Sequence, residues 1–260
     1  MLSITHIDTA CVLLDIHGYR ILTDPTLDRA GQKYHHGYGI FSRKTGDPSV
    51  SPANLGKVDM VLLSHHQHKD NFDHAGRRFT ETVPLVISTK SAAKALKGAV
   101  GLGNWESHAI KTPLLTDLRI TATPARHRPW WVPAFLAGRV IGFVIECREL
   151  ENGVIYISGD TVYYKGVRQV ADRFKIDIAI FHLGSVEFPH LTGHAHYTMN
   201  GKEMLEAARV LRPNRIVPVH YSGWSHFKED EQLLRKTIEK DIGIRQKTIF
   251  LEPGKPCSLT

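Results

Sequence analysis

Apolar residues in this chain come in short runs separated by turn-forming and charged residues. "SITHI" (3–7), "ACVLLDI" (10–16) and "YRILTD" (19–24) are rich in aliphatic residues, many of them β-branched, with turn residues between, and predict an opening antiparallel meander. "VDMVLLS" (58–64) is nearly continuous in apolar character, as strands buried on both faces are. "PLVIS", "LRITATPA", "VIGFVIEC", "GVIYISG", "DIAIFH" and "RIVPVH" follow as further strands. Helical patterns lie between them. Over 199–211, Met204, Ala208 and Leu211 share one face, Thr198 is placed to cap the start, and Pro213 stops the run. Over 228–240, the acids Glu229, Asp230 and Glu231 come first and Arg235, Lys236 and Lys240 last, which suits the helix dipole. Two strand-rich halves, meeting near residue 125, predict two packed sheets with helices outside. The expected fold is α/β, a four-layer αββα sandwich forming one domain over residues 1–260.

Composition narrows this picture. No apolar run approaches the ~20 residues a membrane helix needs. The first residues, "MLSITHIDTACVLLDI", lack a basic segment and a small-residue cleavage site, so no signal peptide is expected. Cys11, Cys147 and Cys257 are odd in number, far apart and without metal spacing, which points to a reducing cytoplasm and not to a disulfide framework. The net charge is +7, but Lys and Arg are scattered with no run of five. A solvated basic surface accounts for that, and no nucleic-acid partner is expected.

Histidine is the unusual residue, at sixteen in 260, and it gathers at strand ends. Side chains beyond the carboxyl end of a buried strand sit at the sheet edge, where α/β proteins place their sites. "VLLS" leads to His65, His66, His68 and Asp70; "ITATPAR" to His127; "VIYISG" to Asp160 and Thr161; "IAIF" to His182; "IVPV" to His220. One histidine after one strand is usually a hydrogen-bonded structural residue. Five such ends together predict a metal site of imidazole and carboxylate, suited to zinc, in one or two ions, with manganese or iron as alternatives.

These segments resemble a known family, the metallo-β-lactamase-fold hydrolases. The resemblance spans nearly the whole chain through "ILTDP", "LLSHHQHKDNFDHAGR", "TATPARH", "IGFVIE", "YISGDT" and "VPVHYSGWSHF". It is nearest to the branch holding ascorbate-6-phosphate lactonase-like proteins and N-acyl-phosphatidylethanolamine phospholipase D. The resemblance implies the αββα sandwich, with metals at one edge between the sheets. It implies that two early histidines and His127 hold one metal, that Asp70 and His220 serve the second, and that Asp160 bridges. Asp24 matches an aspartate that orients ligands. The family pattern of histidine, any, histidine, any, aspartate, histidine gives His66, His68 and Asp70, with Asn71 in the last place. An amide oxygen is a poor substitute for imidazole, so the second metal is expected to be weaker. His65 competes with His66 for the first position if the loop carries one extra residue, and the uninterrupted spacing favours His66. His182 reads either as a partner that orients a ligand or, preferred here, as a satisfied core histidine, and His74 as a surface helix residue.

A bound dication lowers the pKa of its water toward neutrality. Asp70 is the candidate base, or a ligand of the second metal, and His226 in "GWSHF" the candidate donor to an oxyanion or leaving group. In "HRPWWVPAFLAGR", Trp130, Trp131 and Phe135 could line a pocket mouth, while Arg126 and Arg128 could meet a phosphate or carboxylate. A loop packed on its own domain or on a second subunit is the alternative, which leaves a homo-oligomer open. The expected function is metal-dependent hydrolysis of a small-molecule ester, lactone or phosphodiester, the substrate being anionic or amphipathic. A ribonuclease Z-like nuclease and a metal-binding protein without catalysis are the alternatives.

Overall fold

The computed structural model describes residues 1–35, 39, 41–132 and 138–259. The segment 133–137, with Phe135 and its expected place at a pocket mouth, lies outside the described residues.

The opening meander forms as β1 (Leu2–Asp8), β2 (Cys11–Ile16) and β3 (Tyr19–Thr23). The hairpin of β4 (Lys33–His35) and β5 (Phe41–Arg43) follows, and then β6 (Met60–Leu62), β7 (Val86–Thr89) and β8 (Val100–Leu102). The second half supplies β9 (Ser107–Ala109), β10 (Arg119–Pro124), β11 (Ile141–Glu146), β12 (Val154–Ile157), β13 (Ile176–His182) and β14 (Arg215–Val219). A last strand, β15 (Cys257–Ser258), pairs antiparallel with β1. One sheet runs β15-β1-β2-β3-β6-β7-β8 and the other β14-β13-β12-β11-β10-β9.

Two-residue alternation explains the layers. On β2, Val12 and Leu14 point into the core between the sheets, where they join Ile4, Leu62, Ile120, Phe143, Ile157 and Val219. Cys11 and Leu13 point to the outer face, with Leu22, Val61, Leu63 and Phe72. On the second sheet, Tyr156, Ala179 and Phe181 face outward onto Val167, Met204, Leu211 and Leu234 of the covering helices. The fold is therefore the expected αββα sandwich.

Three details differ from the sequence expectation. The halves divide between β8 and β9, near residues 103–106 and not 125, because the short segments "VGL" and "SHA" carry little apolar signal yet complete the two sheets. The helix Gly201–Leu211 is capped by Asn200, whose side chain accepts from the Glu203 amide. Thr198 instead accepts from the Val186 amide. The later helix is trimmed to Glu231–Ile238, because the Asp230 carboxylate takes the Leu233 amide and so starts the helix there. Among the described residues no helix is long and apolar enough to cross a membrane.

Candidate metal centre

The carboxyl ends of β6, β10, β12, β13 and β14 bring their ligand-type side chains to one rim of the sandwich. They form two groups. His65, His68 and His127 each offer a ring nitrogen, and Asp70, Asp160 and His220 each offer one atom; within each group the atoms lie within 4.8 Å of one another.

The hydrogen bonds decide which nitrogens are available. Ser64 Oγ donates to Asp24 Oδ1 at 2.7 Å, so it can only accept from His65 Nδ1 at 2.9 Å. That leaves the lone pair of His65 Nε2 facing His68 Nδ1 at 3.1 Å. His127 Nδ1 donates to the Tyr197 carbonyl at 3.0 Å, and its Nε2 also faces His68 Nδ1, at 3.1 Å. His220 Nδ1 donates to the Leu183 carbonyl at 3.1 Å, which turns Nε2 toward Asp160 Oδ2 at 3.7 Å and Asp70 Oδ2 at 3.8 Å. Three imidazoles thus have Nδ1 tied to a protein acceptor and Nε2 presented as a lone pair, the arrangement by which outer partners orient metal ligands.

Several atoms here are buried without a partner among the described residues: Asp70 Oδ1, Asp160 Oδ2 and His220 Nε2, and also Asn71 Oδ1. Buried polar atoms normally find partners. Converging acceptors and lone pairs with nothing to donate to them fit a divalent cation, and three imidazoles or mixed carboxylate and imidazole are donor sets that zinc-type ions take.

Burial shapes the titration. It is the largest influence on His65, His68 and His127, and it holds all three imidazoles below their usual value, His127 at about 4. Burial alone would raise the carboxyls of Asp70 and Asp160. For Asp70 the hydrogen bond from His226 and the nearby imidazoles outweigh it, and for Asp160 His220 and His182 do so; both carboxyls lie well below their usual range. Asp24, desolvated and close to Asp160, is pushed well above it.

Backbone geometry serves the same rim. His220 is held at φ +62° and Asp24 at φ +32°, left-handed conformations that side-chain-bearing residues rarely adopt. Gly159, just before Asp160, has φ +61°, and a Cβ there would come within 2.5 Å of the Ile141 carbonyl oxygen, so the turn that delivers Asp160 requires glycine.

His66 does not stand in the first position. The side chain beside His68 and His127 is His65, and His66 lies apart from both groups. The loop carries one extra residue, and His65, first after Ser64, is the ring that Ser64 can orient. His182 is not a satisfied core histidine: Nδ1 donates to Asp160 Oδ1 at 2.9 Å, while Nε2 is buried without a partner and 3.8 Å from Asp24 Oδ2. Asn71 is buried, and its amide donates to Asp160 Oδ1 at 3.3 Å. His226 Nε2 donates to Asp70 Oδ2 at 2.9 Å, and its ring stacks on Phe188 at 5.9 Å. His74 is an exposed residue opening a helix. Trp130 and Trp131 are 75% and 55% exposed, three and four residues beyond His127. Arg128 donates to the Val132 carbonyl, and Arg126 lies 4.7 Å over the Tyr164 ring. Sequence reasoning missed the role of Ser64, although a hydroxyl directly before a strand-end histidine is a readable sign. The Tyr197 and Leu183 carbonyls carry no sequence signal.

An αββα sandwich with two such groups on one rim defines a metallohydrolase of the metallo-β-lactamase type. The chain belongs to the β-lactamase superfamily domain family, whose model matches residues 19–221. It is 25% identical over 248 residues to a UPF0173 metal-dependent hydrolase of Caldivirga maquilingensis, covering 95% of this chain and 93% of the relative. Its fold is similar to that of an isothiocyanate hydrolase from Delia radicum gut bacteria, with a TM-score of 0.80, 23% identity and 99% of each chain covered. It is also similar to a possible metal-dependent hydrolase of Veillonella parvula, with a TM-score of 0.81, 20% identity and both chains covered in full.

Proposed function

We propose that this protein hydrolyses a small-molecule ester, lactone or phosphodiester with a metal-activated water, and that the metal is zinc. The observation that carries this reading is the pair of adjacent groups, His65, His68 and His127 beside Asp70, Asp160 and His220, in the second of which Asp70 Oδ1, Asp160 Oδ2 and His220 Nε2 are buried without a partner among the described residues. The bound ion would supply an acidified water and polarise the substrate oxygen.

The chain's own residues supply the rest. Asp70 accepts from His226 through Oδ2 and leaves Oδ1 buried and unpartnered, so Oδ1 can bind the second ion or take a proton from water. His226 donates to Asp70 Oδ2, which keeps that carboxyl ionised and its Oδ1 free for this role. Asp24 and Ser64 hold the His65 ring, and His182 holds Asp160. Trp130 and Trp131 offer apolar surface to the organic part of the substrate.

The isothiocyanate hydrolase of the same fold acts, by its name, on an uncharged group. The arginines beside His127 favour an anionic or amphipathic substrate here. The scattered Lys and Arg residues give no extended basic track for RNA. The three cysteines are free, which supports a reducing cytoplasm. Elemental analysis of protein purified without chelator, paired with a screen of lactones, esters and phosphodiesters, tests the reading. Bound metal with turnover that chelation abolishes is expected. Metal without turnover of any of these classes would favour a binding protein, and tight, salt-sensitive RNA binding coupled to cleavage would favour a nuclease.

A further inference from the structure

Beside the three-histidine group lies a cavity of about 340 Å³, and His127 forms part of its wall. Its other polar lining comes from separate parts of the chain: Thr89 and Lys90 at the end of β7, Asn104 after β8, Arg126 and Arg128 after β10, and Arg139 before β11. No Asp or Glu is among its described lining residues. Lys90 pairs with Glu106, which stands outside the lining. Among the described residues, none of the three arginines has a carboxylate within ion-pair distance. Arg126 rests on the Tyr164 ring, and its Nε is buried without a partner. Arg128 is tied to backbone carbonyls, which fixes its guanidinium without neutralising it.

Arg126, Arg128 and Arg139 bring uncompensated charges to one concave space, where they repel one another and the walls focus their field, and Lys90, shared with Glu106, stands beside them. An oxyanion relieves that repulsion, and guanidinium groups match the oxygens of phosphate or carboxylate in pairs.

We propose that this cavity is an oxyanion subsite. Lys90, Arg126, Arg128 and Arg139 hold a phosphate or carboxylate that belongs to the substrate but is not the group being cleaved, and so direct the scissile bond toward the neighbouring centre. The proposal rests on the hydrolase reading of that centre, and it specifies which part of the substrate the protein recognises. Arg126 and Arg128 are joined in it by Lys90 and Arg139, two cations distant in sequence.

Titration calorimetry with inorganic phosphate at low salt, and separately with acetate, tests it on the full chain, its Arg139→Gln form and its Lys90→Gln form. Both substitutions are at the surface and should leave the fold intact, which circular dichroism checks. Saturable phosphate binding is expected, weakened about tenfold or more by each substitution, as for loss of a charged hydrogen bond. Stronger binding of phosphate than of acetate assigns the site to a phosphate; the reverse assigns it to a carboxylate. No saturable binding of either anion, or binding equal in all three proteins, overturns the proposal, the second result placing the anion on the metal centre. Metal content, read on the same samples, separates the two readings. Phosphate binding that needs Arg139 in a protein holding no metal keeps the subsite and removes the hydrolase reading. Metal and turnover present, with phosphate binding indifferent to Arg139, does the opposite.

Discussion

Asn71 stands where the family pattern has histidine, and its buried amide shows what the change does. It donates to Asp160 Oδ1, which also accepts from His182, so it serves the carboxylate and not an ion. Its Oδ1 remains unpartnered, a weaker ligand than imidazole. The ion at Asp70, Asp160 and His220 should therefore bind more weakly than the ion at the three histidines. Asn71→His should raise metal stoichiometry or affinity, as read by metal titration after chelation, and two equally tight ions in the unaltered protein would remove the argument. On the proposed reading Asp70→Asn keeps the shape but removes the base, so kcat should fall about 100-fold or more with the best substrate of the screen. An unchanged kcat would take Asp70 out of the chemistry. At this scale the sequence was legible wherever a ligand type followed a strand, as at His68, His127, Asp160 and His220. It misled at His65 and His66, because two adjacent imidazoles differ only in which one Ser64 can reach, and reach depends on the turn.

At the scale of elements, one buried side chain ties the β4–β5 hairpin to the rest of the fold by charge. Lys44, directly after β5, is fully buried, ion-paired with Asp8 at the end of β1, and 3.7 Å from Asp73. Its ammonium also lies 5.5 Å from the centre of the Trp224 ring. Asp73 in turn caps the helix His74–Thr80, so the hairpin, the meander and the loop that carries the histidines share one buried charge cluster. Asp8 is raised to about 6, by burial first and against the pull of Lys44. Removing one member of a buried ion pair strands the other, so Lys44→Met should destabilise the protein by about 3–5 kcal/mol in urea unfolding. A loss under about 1 kcal/mol would show that Asp8 and Asp73 need no counter-charge, the size expected of an exposed pair. None of this was visible in the sequence, where Lys44 is one of many scattered cations. The long strands were visible because aliphatic residues fill both of their faces. The strands of two or three residues were not, because they are completed by their neighbours and not by their own pattern.

The whole molecule combines these features in its response to acid. A rim of imidazoles kept neutral by burial, and of carboxylates kept ionised by imidazoles, loses its arrangement when protons are added. His127 is depressed to about 4 from its usual 6.5, with His65, His68 and His182 shifted in the same direction. Between those two pH values the unfolded chain holds more protons than the folded one, so stability rises with pH across the window and is lost as pH falls. For His127 alone the lost stability is on the order of 3 kcal/mol once pH is below about 4. The depressed carboxyls of Asp70 and Asp160 act in the same direction at still lower pH, since stability gained above their usual value is lost as pH falls toward their folded values. Asp8, Asp24 and Asp73, raised by burial, act in the opposite direction above about pH 4. The lowered imidazoles of His6, His65, His66, His68, His127 and His182 outnumber them, so chelated protein should show a net fall in melting temperature from about pH 6.5 to about pH 4. Metal binding needs the same imidazoles unprotonated, so metal-loaded protein should melt higher at neutral pH and lose that advantage across the same window. Differential scanning calorimetry of loaded and chelated samples from pH 7.5 to 4 reads both effects. A chelated melting temperature that stays flat or rises on acidification would mean that these histidines are not held neutral in the folded chain. A metal-dependent gain that persists undiminished at pH 4 would mean that the ion is held by groups other than these imidazoles.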